Sequence, residues 1–182
     1  QGVDNVFETD LFHPLISKIQ EAKPGLEDRV LRVLADHSRA SIFLIADGVR
    51  PSNKEAGYIL RRLLRRILVY GITCDIHSDL FVLGADVVKD IFSDAYPEIA
   101  KTKEIINVWM DEKTKFEKTL ALGVKEIKKY GEISAKDAFY LYETFGLPLE
   151  LILELAPSKA TNLLKSDFDR EFEKHQEISR AG

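Results

Sequence analysis

Residues 50 to 66 read Arg50-Pro51-Ser52-Asn53-Lys54-Glu55-Ala56-Gly57-Tyr58-Ile59-Leu60-Arg61-Arg62-Leu63-Leu64-Arg65-Arg66, and this stretch decides the fold class. At about 100° per residue, Ile59, Leu60, Leu63, Leu64, Ile67 and Leu68 fall on one half of a helical wheel, with Arg61, Arg62, Arg65 and Arg66 on the other. The spacing predicts an amphipathic helix with a buried apolar side and a comb of guanidiniums. Gly48 and Pro51 mark a stop before it, since glycine accepts a left-handed cap and proline cannot extend a helix. Ser52 and Glu55 stand at the spacing of a capping box, so the new helix is expected to begin at Ser52, with Asn53 and Lys54 in its open first turn. Guanidiniums pair with carboxylates inside a protein or with phosphates outside it, because a planar fork of donors fits both.

Working outward, the pattern predicts a preceding helix from about Leu26 to Asp47, with Val30, Val33, Leu34, His37, Ser41 and Leu44 in one broad stripe. His37 lies with the apolar group and reads as a core histidine. Asp36 falls at helical spacing from Arg32 and Arg39 and is expected to engage part of that arginine set. An earlier helix runs from about Leu11 or Pro14 to Lys23, stopped by Pro24-Gly25. Beyond the arginine comb, 72–79 is a polar connection carrying a Cys74-x-x-His77 pair. A structural zinc wants four ligands, and no second pair stands nearby.

A helix at about 80–95 follows, and then a long one at about 97–130, roughly 50 Å at 1.5 Å per residue. Ile105, Trp109, Phe116, Leu120, Val124 and Ile127 form its stripe, Gly131 is its expected end, and its expected use is a strut between two surfaces. Ser134 and Asp137 start a short helix to about Thr144, closed by Gly146, which leaves Glu143 in a last turn whose dipole disfavours a carboxylate. Residues 149–156 read as an apolar helix, and 166–180 as a charged one with Phe168, Phe172 and Ile178 inward. With no strand pairs and no internal repeat, the fold class is all-α: a multi-helix bundle with one long helix and short connecting turns.

The 182 residues, 45% hydrophobic, are enough for a real core, and the longest apolar runs fall far short of a bilayer span, so a soluble chain with no membrane partner is expected. A lone cysteine, Cys74, fits a reducing cytoplasm, and a first residue other than Met is what a piece of a longer chain would show. The net charge of −4 argues against a generic nucleic-acid binder, yet residues 29–66 hold nine basic side chains against three acidic ones. A local excess of that kind attracts phosphates with strong salt dependence. Glycines 48, 57, 71 and 84 form no phosphate loop, and the histidines form no ligand pair, so neither nucleotide nor metal chemistry is readable in these residues.

Two runs carry a family resemblance. Ala35-Asp-His-Ser-Arg-Ala-Ser-Ile-Phe-Leu-Ile-Ala-Asp-Gly-Val-Arg-Pro-Ser-Asn53, followed by Gly57-Tyr-Ile-Leu-Arg-Arg-Leu-Leu-Arg-Arg66, resembles the signature of the alanyl-tRNA synthetase family just after its class II catalytic core. Asn5-Val-Phe-Glu-Thr-Asp-Leu-Phe12 and His175-Gln-Glu-Ile-Ser-Arg-Ala-Gly182 resemble the segments that follow the last catalytic motif and precede the editing domain. The resemblance implies a tail of the post-catalytic segment at 1–25, a helical tRNA-recognition domain at 26–146, and helices at 147–182 that lead to an editing domain.

Its implied function is to bind the acceptor stem of alanine tRNA and read a G·U wobble pair there, for ATP-dependent aminoacylation by the whole enzyme. The implied base-reading residues are Asn53, in the Pro-Ser-Asn run, and Glu143, in Tyr140-Leu-Tyr-Glu-Thr-Phe-Gly146, where the family usually has Asp. Arg50, Lys54, Arg61, Arg62, Arg65 and Arg66 are the candidate contacts to the RNA backbone, some of which hold the fold instead. The resemblance implies no catalytic residue, metal or cofactor for this segment: ATP and zinc belong to the whole enzyme, and the segment alone is expected to be inactive. Implied partners are the tRNA and the catalytic and editing domains of the same chain. The alternative is a helical interaction module, or interdomain scaffold, whose basic face docks on the catalytic domain.

Overall fold

The computed structural model describes the backbone of residues 2–181 and the side chains of residues 2–177, so the inward placement expected of Ile178 lies outside the described side chains. Among the described residues the chain forms eight α-helices and no strand, as its periodicity predicts. They are α1 His13–Ala22, α2 Asp28–Ala46, α3 Glu55–Thr73, α4 Leu80–Phe92, α5 Thr102–Ile127, α6 Ala135–Phe145, α7 Leu149–Leu155 and α8 Lys165–Ala181, with short 3-10 turns at Val6–Glu8 and Pro97–Ala100. Contacts divide the chain into two units, Gln1–Thr114 and Lys115–Gly182.

In the first unit α2 is the hub, packed against α1, α3 and α4. It buries Leu31, Leu34, Ala35, Ser38, Ser41, Ile42 and Ile45, a face rotated from the predicted stripe: Leu34 and Ser41 belong to both, whereas Val30, Val33, His37 and Leu44 are half-buried, because α2 touches three neighbours. Gly48, with φ +90, takes the left-handed turn expected after it. On α3, Leu60, Leu64, Ile67 and Leu68 are buried, whereas Ile59 stays 49% exposed, so the core-facing arc is narrower than the apolar half of the wheel.

Asp36 acts electrostatically on Arg39, as the helical spacing predicts, and Arg32 and Arg39 each make a further contact. Their guanidiniums lie over the rings of Phe7 (5.6 Å) and Phe12 (3.8 Å), because the N-terminal segment folds back across α2 and offers ring faces. Asp79 is the junction of α4 and α5. Its carboxylate caps Val82 N–H at 3.3 Å, accepts Trp109 Nε1–H at 3.0 and 3.1 Å, and pairs with Lys113 at 2.8 Å. Trp109 stacks on Phe81 at 4.7 Å, as core rather than as a ligand cradle.

The long helix is shorter at both ends than the sequence predicts. The Pro97–Ala100 turn packs on α2 and α4 with Ile99 buried, and Lys101 leaves helical geometry at ψ 45, so the α-helical ladder starts afresh at Thr102. At the other end Gly131 has no left-handed φ. The terminus is set by Lys159, whose ammonium donates to the carbonyls of Ile127 (3.1 Å), Lys128 (3.1 Å) and Tyr130 (2.6 Å). Helix α4 also stops early, at Phe92, whose ring meets Phe43 edge-on at 5.1 Å.

In the second unit α6 packs against α7 and α8. Both halves of the Ser134–Asp137 capping box are present, and Gly146 closes α6 with φ 64 and ψ 31, as predicted. Phe139 gathers Phe168 and Phe172 of α8 at centroid distances of 6.3 and 6.2 Å, which draws the charged last helix onto the core.

Candidate nucleic-acid interface

The approach to the arginine helix is a closed loop, and the predicted capping box does not form. Helix α3 begins at Glu55, its N-cap is Lys54, and no side chain caps it. The Ser52 hydroxyl instead bonds the backbone of Lys54, accepting from its N–H at 3.3 Å and donating to its carbonyl at 3.0 Å, while Ser52 N–H donates to the Gly57 carbonyl at 3.1 Å. The turn closes this tightly because residue 57 has no side chain: a Cβ there would collide with Ser52 Oγ and come within 2.5 Å of the Arg50 carbonyl. Glu55 carries the strain, with φ +49. Asn53 therefore lies outside the helix, exposed in the turn, and the wheel does not decide which way it faces.

Asn53 is nevertheless held. Arg61 Nη1 donates to Asn53 Oδ1, and Arg61 Nη2 donates to the Pro51 carbonyl at 3.3 Å. The Asn53 amide nitrogen makes no hydrogen bond among the described residues.

The comb itself is split in use. Arg65 Nε donates to Glu112 Oε1 at 2.8 Å, and Arg61 Nε, outside hydrogen-bond geometry, lies 3.4 Å from the same oxygen. Glu112 is 3% exposed, a buried carboxylate with two cations on it. Arg50 donates to the carbonyls of Ile45 (3.1 Å) and Val49 (3.0 Å) and pairs with Glu104, which ties it to the end of α2. Arg66 lies over the Tyr70 ring at 5.7 Å, and Lys54 and Arg62 are exposed.

Behind the comb, burial pushes the His37 pKa down from 6.5 to about 4, helped by the Arg66 and Arg62 guanidiniums and opposed by Asp36. Its Nδ1 is buried and has no hydrogen-bond partner among the described residues. In the second unit Glu143 is exposed in the last turn of α6. His77 lies 3.7 Å from Asp75, and among the described residues no cluster of His, Cys, Asp and Glu could hold a metal ion. No described helix is long and apolar enough to cross a membrane.

Glu112 is the site residue that the sequence reading missed. A signal for it exists: it stands three residues after Trp109 and four before Phe116, on the buried stripe of α5. A carboxylate at such a position demands buried cations, and α3 is the arginine-rich helix that supplies them.

Comparison with known proteins adds a family. The family described as tRNA synthetases class II (A) matches residues 1–182. The alanine–tRNA ligase of Thermotoga sp. (strain RQ2) is 41% identical over 192 residues, covering 100% of this chain and 22% of its own length. That of Elusimicrobium minutum (strain Pei191) is 41% identical over 194 residues, with 100% and 22% covered. The ligase of Borrelia hermsii (strain HS1 / DAH) is 36% identical over 197 residues, with 100% and 33% covered. The chain thus spans between 22% and 33% of the length of these relatives. Matched from end to end by that family, and aligned along one segment of alanine–tRNA ligases, the chain belongs to the class II (A) tRNA synthetases.

Proposed function

We propose that this segment is the tRNA-recognition part of an alanine–tRNA ligase, which binds the acceptor stem of alanine tRNA and reads its G·U wobble pair for ATP-dependent aminoacylation by the whole enzyme. The observation that carries the reading is the Asn53 amide: exposed, on a closed turn, with its oxygen taken by Arg61 and its nitrogen unused among the described residues. A-form RNA exposes a wide, shallow minor groove, and a wobble pair leaves the guanine 2-amino group there without its usual partner. Asn53 supplies a donor to an acceptor in that groove, and the exposed Glu143 carboxylate supplies an acceptor for the 2-amino group. A carboxylate beside phosphates is otherwise repelled, so a base donor gives it a purpose.

Arg50, Lys54, Arg61, Arg62, Arg65 and Arg66 remain the candidate backbone contacts, with Arg61 and Arg65 also serving Glu112. Within this proposal the functional division is 1–25, 26–146 and 147–182. Its partners are alanine tRNA and the catalytic and editing domains of the same chain, in the cytoplasm. ATP and zinc serve the whole enzyme and not this segment.

The internal engagement of Arg61 and Arg65 favours a second reading, in which the basic face is an interdomain scaffold that docks on the catalytic domain. Charging assays on an intact ligase that carries this segment separate the two. Asn53→Ala is expected to cut the preference for a G·U over a G·C stem by about tenfold or more, the scale of one lost base contact. An equal loss on both stems would make Asn53 structural and leave the scaffold reading in place.

A further inference from the structure

We propose that Glu112 is a positioning residue for the base-reading amide of Asn53, acting through Arg61, and that the tRNA group this amide meets is therefore a hydrogen-bond acceptor. The inference rests on the recognition role proposed above and deepens it. Glu112 lies 3% exposed on α5, with Arg65 Nε at 2.8 Å and Arg61 Nε at 3.4 Å from one of its oxygens. A buried carboxylate is tolerated only where cations are fixed on it, so the pairing orders both arginines.

The far edge of the Arg61 guanidinium then reaches the turn, donating to Asn53 Oδ1 and, at 3.3 Å, to the Pro51 carbonyl. A guanidinium has donors and no acceptor, so only the oxygen end of the Asn53 amide can face it. An asparagine amide is nearly symmetric in shape and, left alone, presents donor or acceptor with equal ease. Held by Arg61, it presents the NH2 group. The group it meets is an acceptor, on a base edge or a ribose 2′-hydroxyl, and not the guanine 2-amino group, which is itself a donor.

The test compares charging of G·U and G·C acceptor stems by an intact ligase carrying Asn53→Ala, Glu112→Gln or both, with Tm measured alongside. Glu112→Gln is expected to lower kcat/KM on the G·U stem by about tenfold while the G·C stem changes by less than about twofold. In the double variant the discrimination should be no worse than with Asn53→Ala alone, because the two residues act as one unit. Arg61→Lys gives a second arm: it keeps a cation beside Glu112 but not the fork that spans to Asn53, so discrimination should fall with little change in Tm.

A Glu112→Gln variant that loses activity equally on both stems, or that keeps its discrimination where Asn53→Ala loses it, overturns the relay and leaves the recognition role standing. Full discrimination in Asn53→Ala overturns both. Should Glu112→Gln fail to fold, unchanged discrimination in Arg61→Lys overturns the relay by itself.

Discussion

Glu112 and His37 are polar groups in apolar settings, and the structure treats them in opposite ways. Glu112 is held between two partners, Arg61 and Arg65, fixed beside its carboxylate. For His37 burial is the main cause, with the Arg66 and Arg62 guanidiniums adding to it against Asp36, and its pKa falls to about 4. The folded value lies below the ordinary 6.5, so as pH falls the unfolded chain takes up the proton first. The stability that comes from keeping His37 neutral is therefore complete above about pH 6.5 and is lost progressively as pH falls towards about 4. Thermal unfolding at pH 7 and pH 5 checks this: the drop in Tm between the two should be smaller in His37→Gln than in the parent chain. Equal drops would mean that other groups carry the acid sensitivity.

Helix limits were legible in the sequence at α6, where they are set locally. The Ser134–Asp137 box and the Gly146 cap were read correctly because each depends on residues within a few positions of it. The ends of α5 were misread because each is set at a distance: one by the burial of Ile99 against α2 and α4, the other by Lys159, some 29 to 32 positions along the chain. The Ser52–Glu55 box failed although its spacing is right, since Gly57 lets the Arg50 carbonyl and Ser52 hydroxyl close over it and turns that hydroxyl away from the helix. Spacing records what a cap could do, and the geometry of the turn that leads into it decides whether it does. Lys159 carries the sharpest consequence at this scale, because one ammonium satisfies three carbonyls at the end of α5. Lys159→Met keeps the aliphatic stem and removes the donors. It is expected to destabilise the chain by about 1–3 kcal/mol, read as a shift in the denaturant midpoint. A shift below about 0.5 kcal/mol would show that water replaces the ammonium at no cost.

For the whole molecule, the net charge of −4 and the basic excess over residues 29–66 pull in opposite directions, and the structure weighs them. The sequence made the six basic candidates legible as a set but could not sort them, because Glu112 and Glu104 lie tens of residues away. Asn53 and Glu143 are candidates through resemblance alone, and both are exposed. If all six cations met phosphates, log K for an acceptor-stem duplex would fall with log salt at a slope of about −5, taking roughly −0.9 per contact. Arg50 is committed to α2 and Glu104, and Arg61 and Arg65 to Glu112, so at least three of the six are engaged inside the fold. The expected slope is then about −3 or shallower, and Lys54→Ala, at an exposed turn position, should reduce it by about one unit while weakening G·U and G·C duplexes alike. Titration of the duplex over a salt series decides the point. A slope near −5 would mean that the Glu112 and Glu104 pairs open when RNA binds, and the cations read here as scaffold would then belong to the interface.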